Sequence, residues 1–261
     1  MKDQRIVMGM PVTVEIVAGS AKDIDDVFAY FAQVEERFSP FKPASETSRV
    51  NQGFLAPGEC SEDMQTIMRL AEKAKAETEG YFDVYRNGTF NPVGLVKGWA
   101  IHNAAEMLRG RGLWDFYIEA GGDIQLSGLN EQGMYWAVGI RNPFSSREIV
   151  KVVYLSDAGI ATSGTYVRGD HIYDPHSPEQ PPSAGIISLT VIGPNVYEAD
   201  VLATAAFAMG ERGISFVEEQ ACFEGYLIDN GGMATMTSGF ADNTIERPFG
   251  RQQPRQGEVA A

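Results

Sequence analysis

The segment EADVLATAAFAMG, Glu198 to Gly210, sets a carboxylate and a hydroxyl four residues apart in an otherwise apolar run. Four residues is about one helical turn, so Asp200 and Thr204 share a face. A carboxylate beside a hydroxyl, completed by backbone carbonyls and water, is a hard-oxygen set that suits magnesium. The structural alternative is that Asp200 helps cap the helix while Thr204 bonds back to a carbonyl of its own turn. Asp200 lies slightly too deep for a clean cap, and the pair alone leaves both readings open.

A second chemistry-bearing stretch is IATSGTYVRGDHIYDPHSP, Ile160 to Pro178. Thr162, Ser163 and Gly164 are expected to form a hydroxyl-rich turn whose amides face phosphate oxygens. His171, with Asp174 near enough to orient its ring or hold a metal-bound water, has the composition of a general base working near neutral pH. The alternative is a structural histidine in a tight turn, with His176 as an exposed neighbour. Neither a GxSxG elbow nor an HExxH helix occurs, which removes serine-hydrolase and zincin chemistry.

Two further segments are weaker singly. EAGGDIQLSG carries a glycine pair at a strand edge, either a tight strand exit or a place where backbone approaches a ligand. It does not open a helix, so a dinucleotide fingerprint is unsupported. In YFDVYRNGTFNPVGLVKGWA, aromatic rings beside Asp83, then Gly94, Lys97 and Gly98, could wall a flat ring and reach a phosphate. Packed core aromatics and a solvated lysine explain the same residues.

These residues need a scaffold, and the chain is long enough for one. It has 261 residues with 44% hydrophobic and 21% charged, which permits a sizeable core. The formal net charge of -14 argues against nucleic acid or an anionic membrane as the main partner. An anionic small molecule would need a cation or a local cluster of donors. Cys60 and Cys222 form no framework and are expected as buried free thiols. No apolar run reaches the roughly 18 to 20 residues of a spanning helix, nor does the N-terminal stretch resemble an export signal, so a cytoplasmic location is expected.

Helices are expected early and strands late. PVTVEIV alternates as an opening strand, and Ile24, Val27, Phe28, Phe31, Val34 and Phe38 recur at helical spacing. Pro40 and Pro43 are expected to keep SPFKPASETSRVN irregular. Ser61 caps a second helix closed by Gly80, and LVKGWAIHNAAEMLRGRG reads as a third. WDFYIEAGGDIQLSG, YWAVGIRNP, EIVKVVYLSD, GIISLTVIG, FEGYLIDN and GMATMTSG read as strands, with a short helix near RGISFVEEQ. The order favours α+β over an alternating parallel design. One domain is expected over residues 1–245, with a subdomain split near 110 and a loose tail from 246.

Taken in order, MGMPVTV, FSPFKPASETSRVN, GYFDV, GLVKGWA, EAGGDI, WAVGIRNP, ATSGTYVRGDHIYDP and EADVLATAAFAMG resemble the FAD:protein FMN transferases of the ApbE type. The resemblance covers about residues 8 to 237. It implies an α+β fold with mixed or antiparallel sheets and helices around a flavin-binding cleft. It also implies cleavage of FAD with Mg2+ and transfer of FMN to a threonine or serine hydroxyl of a target protein, with release of AMP. The acceptor flavoprotein would carry a Ser/Thr-Gly-Ala-Ser/Thr segment.

On this resemblance Asp200, Thr204 and the carbonyl of Gly94 become metal ligands. Met8, Phe41, Tyr81, Phe82, Asp83, Asn91 and Lys97 fall on positions that touch FAD in the family, and Thr162, Ser163 and Ile172 are expected to bind the cofactor with them. His171 becomes the candidate base and Asp174 its partner. Two positions depart from the family pattern: Asn91 stands where aspartate is common, and Phe41 where tyrosine is frequent. Phe41 can still stack on a flavin but has no hydroxyl to donate. Hydrolysis of FAD to FMN and AMP, and simple FAD binding, are the competing activities.

Overall fold

The computed structural model describes residues 1–164, 174–177 and 185–246. Its spine is an eight-stranded antiparallel sheet in the order β1-β2-β5-β6-β9-β10-β11-β12. The strands are β1 (Lys2–Val7), β2 (Met10–Ile16), β5 (Phe116–Ala120), β6 (Asp123–Ser127), β9 (Ala158–Gly164), β10 (Ile186–Gly193), β11 (Glu224–Asp229) and β12 (Ala234–Met236). Strands from both sides of residue 110 therefore share one sheet. Two small hairpins complete the β structure, β3 (Tyr85–Arg86) with β4 (Thr89–Phe90), and β7 (Trp136–Asn142) with β8 (Ser145–Leu155).

One face of the sheet carries helices. Helix α1 (Ala21–Phe38) buries Ile24, Val27, Phe28, Phe31, Val34 and Phe38, the six positions its spacing selects. Ser20 and Asp23 close its N-terminus as a reciprocal capping box. Ser61 caps α3 (Glu62–Glu77) by accepting from Met64 N at 3.3 Å, and Gly80 takes up a left-handed φ of 81° just beyond it. Helix α4 (Val93–Arg109) packs Trp99 edge-on against Phe38 of α1. Helices α5 (Val196–Ala208) and α6 (Gly213–Glu218) cover β9, β10 and β11 through Ala199, Ala203, Ala206, Phe207 and Val217. The opposite face is closed by the β7–β8 hairpin, whose Trp136, Val138, Ile140, Val153 and Leu155 meet Ile124, Leu126, Ile160 and Ile192. No helix among the described residues is long and apolar enough to cross a membrane.

Three expectations change and one strand is added. The segment after Pro43 is not irregular throughout: Ser45 caps a short helix α2 (Glu46–Asn51), because its Oγ accepts from Ser48 N at 3.0 Å. Residues 2–7, not assigned from sequence, form a strand because they pair along the whole length of β2. Thr162 to Gly164 form the end of strand β9 rather than a turn, since Ser163 and Gly164 stay in register with Leu189 and Ser188. Cys60 is buried, but Cys222 is exposed, at a left-handed φ of 70°. The expected tail lies almost wholly outside the described residues.

Candidate functional site

The site begins at a two-residue turn. Gly121 and Gly122, at φ of 60° and 99°, join β5 to β6, a geometry only glycine adopts without strain. β6 then alternates. Ile124 and Leu126 enter the layer under the β7–β8 hairpin, while Asp123 and Gln125 project toward the helices. Asp123 and Gln125 each serve a different helix.

Gln125, fully buried, accepts from Val196 N at 2.8 Å and donates to the Ala158 carbonyl at 3.0 Å. It thereby satisfies one of the N–H groups that a helix start leaves without an intrahelical partner. The cap itself is Asn195, whose Oδ1 accepts from Glu198 N at 2.9 Å and whose Nδ2 donates to Glu198 Oε2 at 2.8 Å. Asp200, five positions inside α5, takes no part in that cap. Close packing fixes α5 further: a side chain at Gly159 would place its Cβ 2.0 Å from Val196 N.

Helix α4 also packs tightly on α5, though less closely than β9 does. At Gly98 an added Cβ would lie 3.1 Å from Asp200 Oδ2 and from Tyr197 Cα, so α4 and α5 meet almost backbone to backbone. One residue earlier, the Lys97 ammonium forms an ion pair with Asp123 Oδ2 and lies 3.5 Å from Asp200 Oδ1. Asp123 is 1% exposed and the Asp200 side chain 7%. Asp123 Oδ1 also accepts from Thr162 N at 3.2 Å. Two nearly buried carboxylates thus flank one ammonium, an arrangement whose desolvation cost is tolerable only with close pairing.

Thr204 lies one turn beyond Asp200, and its Oγ1 is 3.4 Å from Ser163 Oγ. Thr162 points to the other face of the sheet, where its hydroxyl bonds Thr190 Oγ1 at 2.8 Å. Strand alternation therefore separates the Thr162 side chain from Ser163. Gly94 sits in the first turn of α4, three residues before Lys97 and on the same face, with nothing within 4 Å of where a Cβ would be. Asn91 Oδ1 accepts from Val93 N at 3.3 Å at the start of that helix. Burial raises the Tyr197 hydroxyl to about 12, assisted by Glu198 and Glu77, so it adds no charge near the carboxylates.

The remaining sequence candidates stand around this centre. Phe82 is buried. Asp83 pairs with Lys75 at 2.8 Å and accepts from Tyr85 N at 2.8 Å. Tyr81 is half-buried and receives the edge of His176 at 4.6 Å between ring centres, with the Arg212 guanidinium 5.3 Å from its ring. His176 is exposed, yet its Nε2 donates to the Glu79 carbonyl at 2.9 Å. Asp174 Oδ1 accepts from His176 N at 2.8 Å, closing its own turn. Met8 takes φ 55° in the β1–β2 turn and donates its N–H to Glu35 Oε2 at 3.1 Å. Phe41 is 90% exposed. His171 and Ile172 lie outside the described residues.

Lys97, Asp200, Ser163 and Thr204 are therefore brought together. Asp123 is the member that the sequence candidates omitted. Its signal was present in EAGGDI: a carboxylate directly after a glycine turn, at a strand position whose neighbour two residues on is also polar. Among the described residues no group of three or more His, Cys, Asp or Glu side chains is arranged to hold a metal. The oxygens of Asp200, Thr204 and Ser163 are nevertheless all hard donors, the kind magnesium accepts, so the residues present fit such an ion by chemistry.

Comparison with known proteins gives this arrangement its context. A family model described as the ApbE family matches residues 8–93 and 85–227. An FAD:protein FMN transferase of Vibrio cholerae is 35% identical over 134 residues, 48% of this chain and 40% of that protein. One from Haemophilus influenzae is 26% identical over a 292-residue alignment covering 86% of this chain and 84% of the relative. Among solved structures, the flavin transferase ApbE from Vibrio cholerae has a TM-score of 0.80 at 24% identity, covering 93% of this chain and 99% of its own. The ApbE protein from Thermotoga maritima has a TM-score of 0.82 at 21% identity, covering 94% and 99%. At these identities the structures speak to the fold, and the family model carries the rest: from the turn after β1 to the middle of β11, this chain belongs to the ApbE family.

Proposed function

We propose that this chain transfers FMN from FAD to a threonine or serine hydroxyl of a target protein and releases AMP, with Mg2+ bound. The observation that carries the reading is the buried Asp123–Lys97–Asp200 cluster where α4 meets α5, beside the Ser163 and Thr204 hydroxyls. It sits in a family whose relatives are named FAD:protein FMN transferases.

Asp200 and Thr204, with the carbonyl of Gly94, would hold the ion. When bound, the ion supplies charge neutralisation for the diphosphate and for the departing phosphate oxygen. Among the described residues, two carboxylates against one ammonium leave the cluster net negative, which favours a divalent cation first and an anionic diphosphate only afterwards. The Lys97 ammonium is then a second positive group on the same side, suited to a phosphate oxygen. Tyr81 and Phe41 offer ring surface for the flavin. His171 is assigned the base: it takes the proton of the acceptor hydroxyl as that oxygen bonds to phosphorus and the anhydride oxygen leaves with AMP. Most of the rate then comes from alignment and fixed charge.

The test is direct. The chain is incubated with FAD, magnesium and a partner bearing a Ser/Thr-Gly-Ala-Ser/Thr segment, and a denaturing gel is read for covalent flavin fluorescence while AMP is followed by chromatography. A fluorescent partner band with matching AMP supports transfer. AMP at a useful rate without acceptor identifies hydrolysis instead, and intact FAD with copurifying flavin identifies a binding protein.

A further inference from the structure

Lys97 meets two carboxylates unequally. Its ammonium is in close ion pairing with Asp123 but stands 3.5 Å from Asp200 Oδ1. Asp123 is also held from a second direction, by Thr162 N at 3.2 Å, and it follows the Gly121–Gly122 turn that fixes where β6 starts. The carboxylate that anchors the ammonium is thus built into the sheet, whereas Asp200 rides on α5.

We propose that Asp123 is a positioning residue that draws Lys97 toward β6 and so keeps Asp200 available to a divalent cation. Without the Asp123 charge, the nearest carboxylate to the ammonium among the described residues is Asp200, and the lysine becomes an internal competitor for the group that would ligate metal. The effect runs through Lys97, not through contact of Asp123 with the ion. The inference rests on the metal-site reading given above.

The probe is Mn2+, a hard divalent ion that prefers oxygen ligands, with free ion counted by electron paramagnetic resonance and no flavin present. Wild-type protein should bind one Mn2+ in a manner abolished by Asp200→Asn. Asp123→Asn should weaken that binding by about tenfold, the scale expected when a unit charge closes in on a partly buried carboxylate. The double variant Lys97→Met/Asp123→Asn, which removes both members of the pair, should recover most of the loss. Recovery is the decisive result, because an Asp123 that touched the ion, or merely supported the fold, would leave the double variant as weak as Asp123→Asn. No recovery, or an unweakened Asp123→Asn, overturns the inference. Wild-type binding indifferent to Asp200→Asn overturns the metal-site reading beneath it.

Discussion

Gln125 and Val196, 71 residues apart in sequence, are joined by a buried hydrogen bond that ties the middle of β6 to the first residue of α5. The helix that carries Asp200 and Thr204 is therefore registered against the same strand that carries Asp123. Replacing Gln125 with leucine fills much of the space but strands Val196 N and the Ala158 carbonyl. The cost should be about 2–4 kcal/mol, the sum of two buried polar groups losing their partner. Urea unfolding measures it, and an unchanged midpoint would contradict the role given to this bond.

Asp200 should show the opposite balance. Asp200→Asn keeps the shape and removes one of two like charges that lie near the same ammonium. Flavin transfer should fall by about a thousandfold, the scale of a lost preorganised charge. The thermal midpoint should hold or rise, as is common where a site sacrifices stability to function. Single-turnover transfer and a melting curve on the same preparation check both halves.

Gly159→Ala tests the seating of α5 without touching any polar group. The new Cβ would fall 2.0 Å from Val196 N and 2.2 Å from the Asn195 carbonyl carbon, both backbone atoms with no rotamer to escape into. Destabilisation of about 3 kcal/mol or more is expected, at the top of the range for overpacking. Soluble yield and the urea midpoint report it.

His102 gives a pH signature. Its Nδ1 is buried and accepts or donates no hydrogen bond among the described residues. Burial lowers its pKa below the ordinary 6.5, with Arg109 adding to the effect and Glu106 and Glu198 opposing it. Protonation is then harder in the folded than in the unfolded chain, so His102 supports folding above pH 6.5 and that support is lost as pH falls below it. His102→Gln does not titrate, so the stability difference between wild type and variant should shift against wild type between pH 7.5 and 5.5. Equal shifts in both proteins would show that His102 is not the group responsible.

Much of the fold was legible because it rests on local rules. The apolar spacing of α1, the Ser61 cap of α3 and the alternation of β2 and β7 each follow from side chains within a few residues. β1 and β9 were not legible for the opposite reason. The first is polar and mostly exposed, and the second is rich in glycine, alanine and hydroxyls, so each is a strand only because of its neighbours. The site divides in the same way. Asp200 and Thr204 stand out at one-turn spacing, and the order of motifs marked Lys97. The Asp123–Lys97 pair joins positions 26 residues apart, and no periodicity in one chain exposes a contact between a strand and a helix.

The Gly121–Gly122 turn sets the phase of β6, and its influence is wider than its size. Were the loop one residue shorter or longer, every side chain on that strand would swap sides. A carboxylate and an amide would then be forced into oil, and isoleucine and leucine would face the ionic centre. Natural variants of this chain should accordingly tolerate changes of sequence around the turn far more readily than changes of length.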